Sequence, residues 1–293
     1  MRRRTGVLGV GVDILDQSGA IARVIALARQ GPSLVVTANL DHALRLRKDA
    51  RLRELYRTAD LVLADGFPLV LASLLRGPRL PGRVTGADLI EPLCAEASRA
   101  GISIFVVGTT LPILSKACRS LVRRFPGLVI AGVHAPSFGF EVGHPQCAEV
   151  AAMIRQAAPN VVFVALGSPK QELWARAYMD DLPPAVYICA GAGFDYLAGL
   201  PPRAPRLVRQ LWLEWLWRLV REPRRLARRY ALDFLYFPAL LAEHLGWLRS
   251  RSGLTEDAPP LGHAAGDRPP LRPPPAGRLA PGDREASTQR LLM

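Results

Sequence analysis

The chain has 293 residues, is 49% hydrophobic, and carries a formal net charge of +13 with a pI of about 10.5. That length predicts one large domain or two modest ones with a substantial core. We expect neither a spanning helix nor a signal peptide, because no stretch supplies roughly 20 uncharged apolar residues and Asp13 interrupts the apolar patch near the amino terminus. The charge favours phosphates, nucleic acid or an anionic membrane surface as partners, although the arginine usage of a GC-rich genome would also account for it.

The predicted secondary structure alternates between strands and helices as far as residue 202. A short strand or hairpin is expected over 7–16, a helix over 17–30, and one helix from Leu40 to Tyr56. The other predicted elements are strands at 33–37, 60–64, 102–107, 127–132, 160–166 and 185–190, and helices near 68–76, 85–100, 112–125, 145–158 and from 169. Most of these strands are apolar throughout, which predicts an α/β fold with a Rossmann-like, mostly parallel sheet covered by helices.

The character of the sequence changes after about residue 202. Residues 203–229 contain nine arginines and two glutamates, interleaved with tryptophan and leucine, and 250–293 are rich in proline and arginine. We therefore predict a catalytic domain over 1–202, a basic amphipathic helical appendage over 203–249 and a disordered tail over 250–293. The tryptophan and leucine stripe could lie on a membrane surface or pack on the sheet domain, and the sequence leaves both open.

Small or polar residues follow at least five of the predicted strands. Because the carboxyl ends of parallel strands share one rim, where open α/β sheets bind ligands, these residues are expected to converge. Asp65 directly follows the apolar run 61–64, although a simple Asp-Gly turn would also explain it. The residues of the expected rim are Thr37, Asn39, Asp65, Gly108, Gly167, Gln171 and Asp195.

Several of these segments also have a purely local interpretation. Asn39 is a good helix N-cap, and the stretch 168–171 (SPKQ) has the spacing of a capping box, although a helix N-terminus there would equally bind a phosphate. Arg83 is either a solvated side chain or a phosphate clamp. The segment 191–195 (GAGFD) is either a tight turn or a place where a ligand approaches the backbone, with Asp195 accepting hydrogen bonds from a ribose.

Motifs for other chemistries are missing from the sequence. It contains no GxxxxGK[ST], HExxH, GxSxG or DxD, its five histidines are far apart, and its four cysteines form no CxxC and are expected to be buried thiols in a reducing cytosol. The glycines at 6, 9 and 11 do not form the dinucleotide fingerprint. Hydrolase, metalloenzyme and kinase-type functions are therefore disfavoured, and neither a metal nor a cofactor is expected.

The chain resembles the WecG/TagA/CpsF family of bacterial glycosyltransferases. The resemblance covers about residues 6–238, follows the order of the family's motifs and ends before the tail. Its matching stretches are TANLDHA (37–43), ADLVLADGFPLV (59–70), RVTGADLI (83–90), FVVGTT (105–110), FVALGSPKQELW (163–174), AGAGFDYLAG (190–199), RAP (203–205) and EWLWRLVREPRRLARRY (214–230).

The resemblance implies inverting, metal-independent transfer of a hexose or N-acetylhexosamine from a UDP-sugar to an undecaprenyl-diphosphate-linked saccharide. Such chemistry belongs to cell-surface polysaccharide biosynthesis at the cytoplasmic face of the membrane. The resemblance also implies that Asp65 is the candidate base and that Thr37 and Asn39 are the active-site threonine and asparagine. The other implied positions are Arg83 and Gln171 for the diphosphate, Asp195 for the nucleoside, and Arg218, Arg225 and Arg228 on a mobile appendage that closes over the site.

Some positions and partners stay open at this stage. Gly108 and Gly167 are expected to line the substrate site, and Phe138 or Phe140 is expected where some relatives carry a tyrosine near the uracil. An anionic membrane surface is an expected partner, nucleic acid is not, and a homo-oligomer is left open. The alternative function is a non-catalytic nucleotide- or membrane-binding module that uses the same rim.

Overall fold

The computed structural model describes residues 3–205, 207–208 and 211–246, so the predicted disordered tail over 250–293 lies outside the described residues. The strands are β1 (Arg4–Val7), β2 (Val10–Asp13), β3 (Ser33–Ala38), β4 (Leu61–Ala64), β5 (Ser103–Gly108), β6 (Val129–His134), β7 (Val161–Ala165) and β8 (Val186–Cys189). The helices are α1 (Gln17–Leu27), α2 (Leu40–Lys48), α3 (Ala50–Thr58), α4 (Phe67–Leu75), α5 (Gly86–Ala100), α6 (Leu111–Arg124), α7 (Gln146–Ala157), α8 (Lys170–Tyr178), α9 (Gly193–Leu197), α10 (Glu214–Arg221) and α11 (Pro223–His244).

Six strands form a sheet in the order β4-β3-β8-β7-β5-β6, and β1 and β2 form a separate antiparallel hairpin. The pairs β3–β8, β7–β8, β5–β7 and β5–β6 are parallel. Every residue of β4, β7 and β8 is buried, as the apolar runs predict. The α/β fold with a mostly parallel, helix-covered sheet is therefore confirmed.

Two local predictions about the first 60 residues need correction. The opening hairpin occupies 4–13 rather than 7–16. The single helix expected from Leu40 to Tyr56 is two helices, because Asp49 adopts an extended conformation between them. The Asp49 carboxylate accepts hydrogen bonds from the backbone N–H groups of Arg51 and Leu52, at 2.9 and 3.1 Å, and so caps α3.

The chain divides into two compact units, and the described part of the first comprises 3–17, 37–85 and most of 201–246. A buried aspartate ties its opening hairpin to β4. The Asp13 carboxylate accepts a 2.7 Å hydrogen bond from the Val62 backbone N–H and a 3.2 Å bond from Arg4 Nε. Arg4 also donates to the Ala59 carbonyl oxygen at 2.8 Å, so the entry to β4 is held by charge-assisted hydrogen bonds.

The C-terminal helices of the first unit differ in how they pack. On α11, Leu226, Tyr230 and Leu240 are buried, and the His244 carbonyl oxygen accepts a 2.8 Å bond from Arg76. On α10 no residue is fully buried. The exposed large apolar residues of this unit include Leu207, Leu211, Leu213, Leu216, Val220, Leu232, Phe234, Leu235 and Tyr236.

The second unit comprises 18–36 and 86–200 among the described residues. The large buried side chains of this unit include Trp174 on α8 and Phe105, Phe163 and Tyr187 on β5, β7 and β8. Close backbone approaches need glycine: a Cβ on Gly108 would lie 2.2 Å from the Ala165 carbonyl oxygen, and one on Gly193 would lie 2.4 Å from Ile90 Cδ1. These contacts fix the ends of β5 and β8, where the sequence places several candidate residues.

Candidate active site

In the first unit, the ends of β3 and β4 bring three candidate residues together. The Asp65 backbone N–H donates a 2.7 Å hydrogen bond to the Ala38 carbonyl oxygen, so Asp65 lies beside the segment that carries Thr37 and Asn39. A Cβ on Gly66, whose φ is +142°, would lie 3.6 Å from Asn39 Cβ. The backbone segments that carry Asp65, Thr37 and Asn39 are therefore adjacent.

The Asn39 amide is oriented by the helix that it caps. Its Oδ1 accepts a 3.2 Å hydrogen bond from the His42 backbone N–H, and the Asn39 N–H donates to His42 Nδ1 at 3.2 Å. The N-cap interpretation of Asn39 is thus confirmed, with a histidine completing the capping box. Because Oδ1 is the capping acceptor, the Nδ2 group is the part of Asn39 suited to donate to a ligand.

His42 serves this arrangement as a neutral imidazole. Its ring is buried, and burial lowers its pKa to about 4, while Asp41 opposes that shift and Arg45 and Arg229 add to it. Nδ1 accepts from the backbone, which assigns the proton of the neutral ring to Nε2. The backbone of Thr37 is also restrained, because its carbonyl oxygen accepts a 2.9 Å hydrogen bond from the buried Tyr56 hydroxyl.

Arg83 lies in the loop beside the end of β4. The Val84 N–H donates to the Ala64 carbonyl oxygen at 2.7 Å, which anchors this loop one residue before Asp65. The Arg83 guanidinium forms an ion pair with Glu214 at 3.3 Å, and Arg203 reaches the same carboxylate at 3.4 Å. All three side chains are less than a quarter exposed, so the interpretation of Arg83 as a solvated arginine is wrong.

In the second unit, Gln171 is 4% exposed and lies at the start of α8. Its Oε1 accepts a 3.0 Å hydrogen bond from the Gly191 N–H, and its Nε2 donates to Glu172 Oε1 at 2.9 Å. The capping box expected over 168–171 is wrong, because α8 begins at Lys170 and the residue in the cap position, Pro169, has no side chain that can accept. Gln171 instead joins α8 to the glycine turn after β8.

Asp195 lies on the short helix α9, which replaces the tight turn considered for GAGFD. Its Oδ1 accepts a 2.7 Å hydrogen bond from the Thr109 hydroxyl, directly after Gly108 at the end of β5. Gly167, with φ +77°, follows β7, and its carbonyl oxygen accepts from the Gln171 N–H at 3.0 Å. The second unit thus has its own cluster of candidate residues at the ends of β5, β7 and β8.

The two phenylalanines of the loop after β6 differ in exposure. Phe140 is buried at 3%, and its ring lies 6.1 Å from that of Trp174, whereas Phe138 is fully exposed. Of the two rings, only Phe138 is therefore available to a ligand.

The C-terminal arginines lie on the two helices that end the described chain. Arg218 is on α10 and is half-buried, while Arg225 and Arg228 are exposed on α11. Arg225 forms an ion pair with Glu222 one turn away. Their placement on basic, partly exposed helices agrees with the amphipathic character that the sequence predicts.

Sequence reasoning missed three residues of these clusters. His42 stands three residues after Asn39, at the N3 position of a capping box, which was the available signal. Thr109 follows a strand-end glycine, and Glu214 is one of two acids among nine arginines, but nothing local indicates the partner of either one. Thr109 and its partner Asp195 are 86 residues apart in the sequence. Glu214 pairs with Arg83, which lies in a loop far earlier in the chain.

Among residues 3–205, 207–208 and 211–246, histidine, cysteine and acidic side chains form no group of three or more that could hold a metal ion. Within the same residues, no helix has the length and apolar character to cross a membrane.

A mostly parallel α/β sheet with acidic, amide and glycine residues at its strand ends is typical of proteins that bind nucleotides or sugars. Residues 5–251 match the family described as glycosyl transferase WecG/TagA/CpsF, and the chain belongs to that family. It is also 32% identical over 200 residues to an N-acetylglucosaminyldiphosphoundecaprenol N-acetyl-beta-D-mannosaminyltransferase from Bacillus spizizenii (strain ATCC 23059 / NRRL B-14472 / W23), an alignment that covers 68% of this chain and 76% of that relative.

Proposed function

We propose that this glycosyltransferase moves a hexose or N-acetylhexosamine from a UDP-sugar to an undecaprenyl-diphosphate-linked saccharide, with inversion and without a metal. The relative's name makes N-acetylmannosaminyl transfer to a lipid-linked N-acetylglucosamine the first case to test. The observation that supports the proposal is the hydrogen bond between the Asp65 N–H and the Ala38 carbonyl oxygen, because it joins the backbone at Asp65 to the segment that carries Thr37 and Asn39.

In the proposed reaction, Asp65 is the general base. An acceptor hydroxyl oxygen attacks the anomeric carbon and forms the new C–O bond as the bond from that carbon to the diphosphate oxygen breaks. The hydroxyl proton moves to the Asp65 carboxylate, and the electron pair of the broken bond leaves with UDP. Thr37 and Asn39 orient the reacting sugars, with Asn39 donating through Nδ2 because Oδ1 caps α2.

The leaving diphosphate gains negative charge, and we assign Arg83 to stabilise it as a donor. In the structure Arg83 is paired with Glu214, so a diphosphate that binds Arg83 competes with this carboxylate. We assign Gln171 to the diphosphate through the second proton of its Nε2 group, and Arg218, Arg225 and Arg228 to charge stabilisation from the appendage. The support for these assignments is the family pattern together with the ion pair of Arg83.

For the donor nucleoside, we assign Asp195 to the ribose hydroxyls and Phe138 to the uracil ring. Asp195 is a half-buried carboxylate on α9, and Phe138 is the exposed ring of its loop. Gly108 and Gly167 lie at the ends of β5 and β7, where a backbone without side chains lets a ligand approach closely.

The C-terminal helices are proposed to bind the cytoplasmic face of an anionic membrane. Their exposed apolar side chains include Leu216, Val220, Phe234 and Leu235, at 40, 73, 55 and 70% exposure. Exposed arginines on the same helices would attract anionic lipid headgroups. A peripheral location would give the active site access to its lipid-linked acceptor.

The test is a screen of UDP-sugars against an undecaprenyl-diphosphate saccharide, monitored by UDP release and by the disaccharide product. We expect one UDP per disaccharide, with one donor strongly preferred and with activity that persists in EDTA. UDP release without a disaccharide, or no release with any UDP-sugar, would contradict the proposal. Loss of activity in EDTA that added metal restores would remove its metal-free part.

A non-catalytic nucleotide- or membrane-binding module is the competing function. Such a module would bind UDP and sediment with anionic vesicles while releasing no UDP from any donor. Its ligand affinity would also need no carboxylate at Asp65, whereas the proposed reaction does.

A further inference from the structure

Thr109 has a backbone conformation that threonine rarely adopts. Its φ is +47°, in the left-handed region, and it directly follows Gly108, whose φ is +132°. A β-branched residue with positive φ is a conformational outlier, and such outliers persist where the surrounding structure holds them, often at ligand sites.

The backbone around Thr109 is fixed by its neighbours. The Thr109 N–H donates a 3.2 Å hydrogen bond to the Ala165 carbonyl oxygen. Gly108 is paired with Ala165 in the β5–β7 ladder and has no room for a side chain. The strand therefore turns at a defined point, and the direction of the Thr109 side chain is set by this turn.

The Thr109 hydroxyl does not cap the helix that follows. The cap position of α6 is occupied by Thr110, and α6 has no side-chain cap hydrogen bond. The Thr109 hydroxyl instead donates to Asp195 Oδ1 at 2.7 Å, a short and charge-assisted hydrogen bond across 86 residues. This hydrogen bond thus connects the end of β5 to α9, and capping of α6 does not explain it.

Asp195 is held from its own side as well. Gly193, in the first turn of α9, lies so close to α5 that a Cβ there would meet Ile90 Cδ1 and the Ala87 Cα at 2.4 and 3.2 Å. The packing of α9 on α5 and the hydrogen bond from Thr109 to Oδ1 together restrict the orientation of the Asp195 carboxylate.

We propose that Thr109 is a positioning residue that orients the Asp195 carboxylate toward the ribose hydroxyls of a uridine nucleotide. The proposal rests on the proposed function, since it takes Asp195 as a nucleoside-binding residue. Thr109 acts through Asp195. Removal of the Thr109 hydroxyl should therefore weaken the contribution of a ribose hydroxyl to UDP affinity and leave the contribution of the diphosphate unchanged.

The test compares the affinities of UDP, 2′-deoxy-UDP and 3′-deoxy-UDP by titration calorimetry. The variants are Thr109→Val, which keeps the β-branched shape and removes the hydroxyl, and Thr109→Ser, which keeps the hydroxyl. Thr109→Gly also removes the hydroxyl and relieves the positive φ, and it replaces the valine variant if that variant does not fold. Thr110→Val is the matched control, since this neighbouring threonine is exposed and makes no cap bond.

The wild type should prefer UDP over at least one deoxy analogue. Thr109→Val should bind UDP about tenfold more weakly and lose most of that preference, because a hydrogen bond to a charged group is removed. Thr109→Ser and Thr110→Val should keep both affinity and preference within about twofold, by the same scale of interaction.

Two results with folded variants would overturn the proposal. One is wild-type affinity for UDP in Thr109→Val, and the other is weaker binding that retains the full preference for the ribose hydroxyl. Failure of the wild type to bind UDP at all would overturn the proposed function, and the present proposal with it. The preference ratio therefore separates a positioning role from a general loss of structure.

Discussion

The candidate residues at strand ends and those on the C-terminal helices are held in different ways. Asp65 is fixed by a backbone hydrogen bond to Ala38, and Asn39 by a reciprocal cap with His42. Arg225 and Arg228 are exposed on α11, and Arg225 is restrained by an ion pair with Glu222 one turn away. The strand-end residues are thus restrained by hydrogen bonds of the backbone, whereas in the described part of the chain the two exposed arginines of α11 have at most a surface ion pair to restrain them.

This difference indicates that the two sets of residues are suited to different tasks. Preorganised groups are suited to proton transfer, which needs hydrogen-bond distance to the reacting hydroxyl. Long exposed side chains are suited to charge stabilisation, which tolerates a broader range of positions and weakens with salt.

The largest effect expected from the C-terminal helices is that of Arg225→Ala combined with Arg228→Ala. A preorganised donor contributes about 10²–10³-fold to a rate, and these exposed arginines should contribute less, about 10–100-fold together. The difference in rate between this variant and the wild type should shrink as ionic strength rises, because salt also screens the arginine charges in the wild type. Arg224→Ala, which removes another exposed arginine of α11, is the matched control in the same UDP-release assay.

The second prediction concerns the contact between α2 and α11. Burial raises the pKa of Asp233 to about 6, with Asp41 adding to the shift and Arg229 and Arg45 opposing it. Burial lowers the pKa of His42 to about 4. Relative to the unfolded chain, the folded chain binds extra protons at Asp233 between pH about 4 and 6, and fewer at His42 between about 4 and 6.5.

The two groups therefore act on stability with opposite signs. The contribution of Asp233 is lost as the pH rises through 6, and that of His42 is lost as the pH falls from about 6.5 to 4. As the pH rises from 4.5 to 7, the free energy of unfolding of Asp233→Asn should increase by about 1–3 kcal/mol relative to that of the wild type. Over the same pH change, the free energy of unfolding of His42→Gln should decrease by a similar amount relative to the wild type. Urea unfolding at both pH values tests this pair, and shifts of the same sign would contradict it.

The smallest effect is expected for Glu214→Gln. A diphosphate that binds Arg83 no longer has to displace a carboxylate in this variant, so UDP should bind about three- to tenfold more tightly, the scale of one partly exposed ion pair. Glu222→Gln breaks the ion pair with Arg225 and should leave UDP affinity unchanged. Weaker UDP binding by Glu214→Gln in calorimetry would show that Glu214 holds Arg83 in place instead of competing for it.

Much of the fold could be predicted from the sequence, because its signals are local. Apolar runs predicted the six strands of the sheet, and Asn39 was correctly identified as an N-cap. The break at Asp49 was missed, since the apolar spacing continues across it and the competing signal was a single capping side chain. The capping box at 168–171 failed because α8 begins one residue after Pro169.

The candidate sites were less predictable, because their contacts are long-range. The strand ends predicted that Asp65 lies near Thr37 and Asn39, and the backbone bond from Asp65 to Ala38 is consistent with that prediction. The pairing of Arg83 with Glu214, and that of Asp195 with Thr109, depends on how distant segments pack, and no spacing in the sequence encodes it. The roles proposed for single residues come from the family resemblance, and the hydrogen-bond and ion-pair partners of those residues come from the structure.

The most direct test of this account measures donor binding and turnover for Asp65→Asn in parallel. Loss of a general base should lower turnover by about 10²–10⁴-fold. UDP-sugar affinity should stay close to that of the wild type, because the substitution keeps the size of the side chain and leaves the backbone bond to Ala38 intact. Near-normal turnover in a folded variant that binds the UDP-sugar would contradict the assignment of Asp65 as the base.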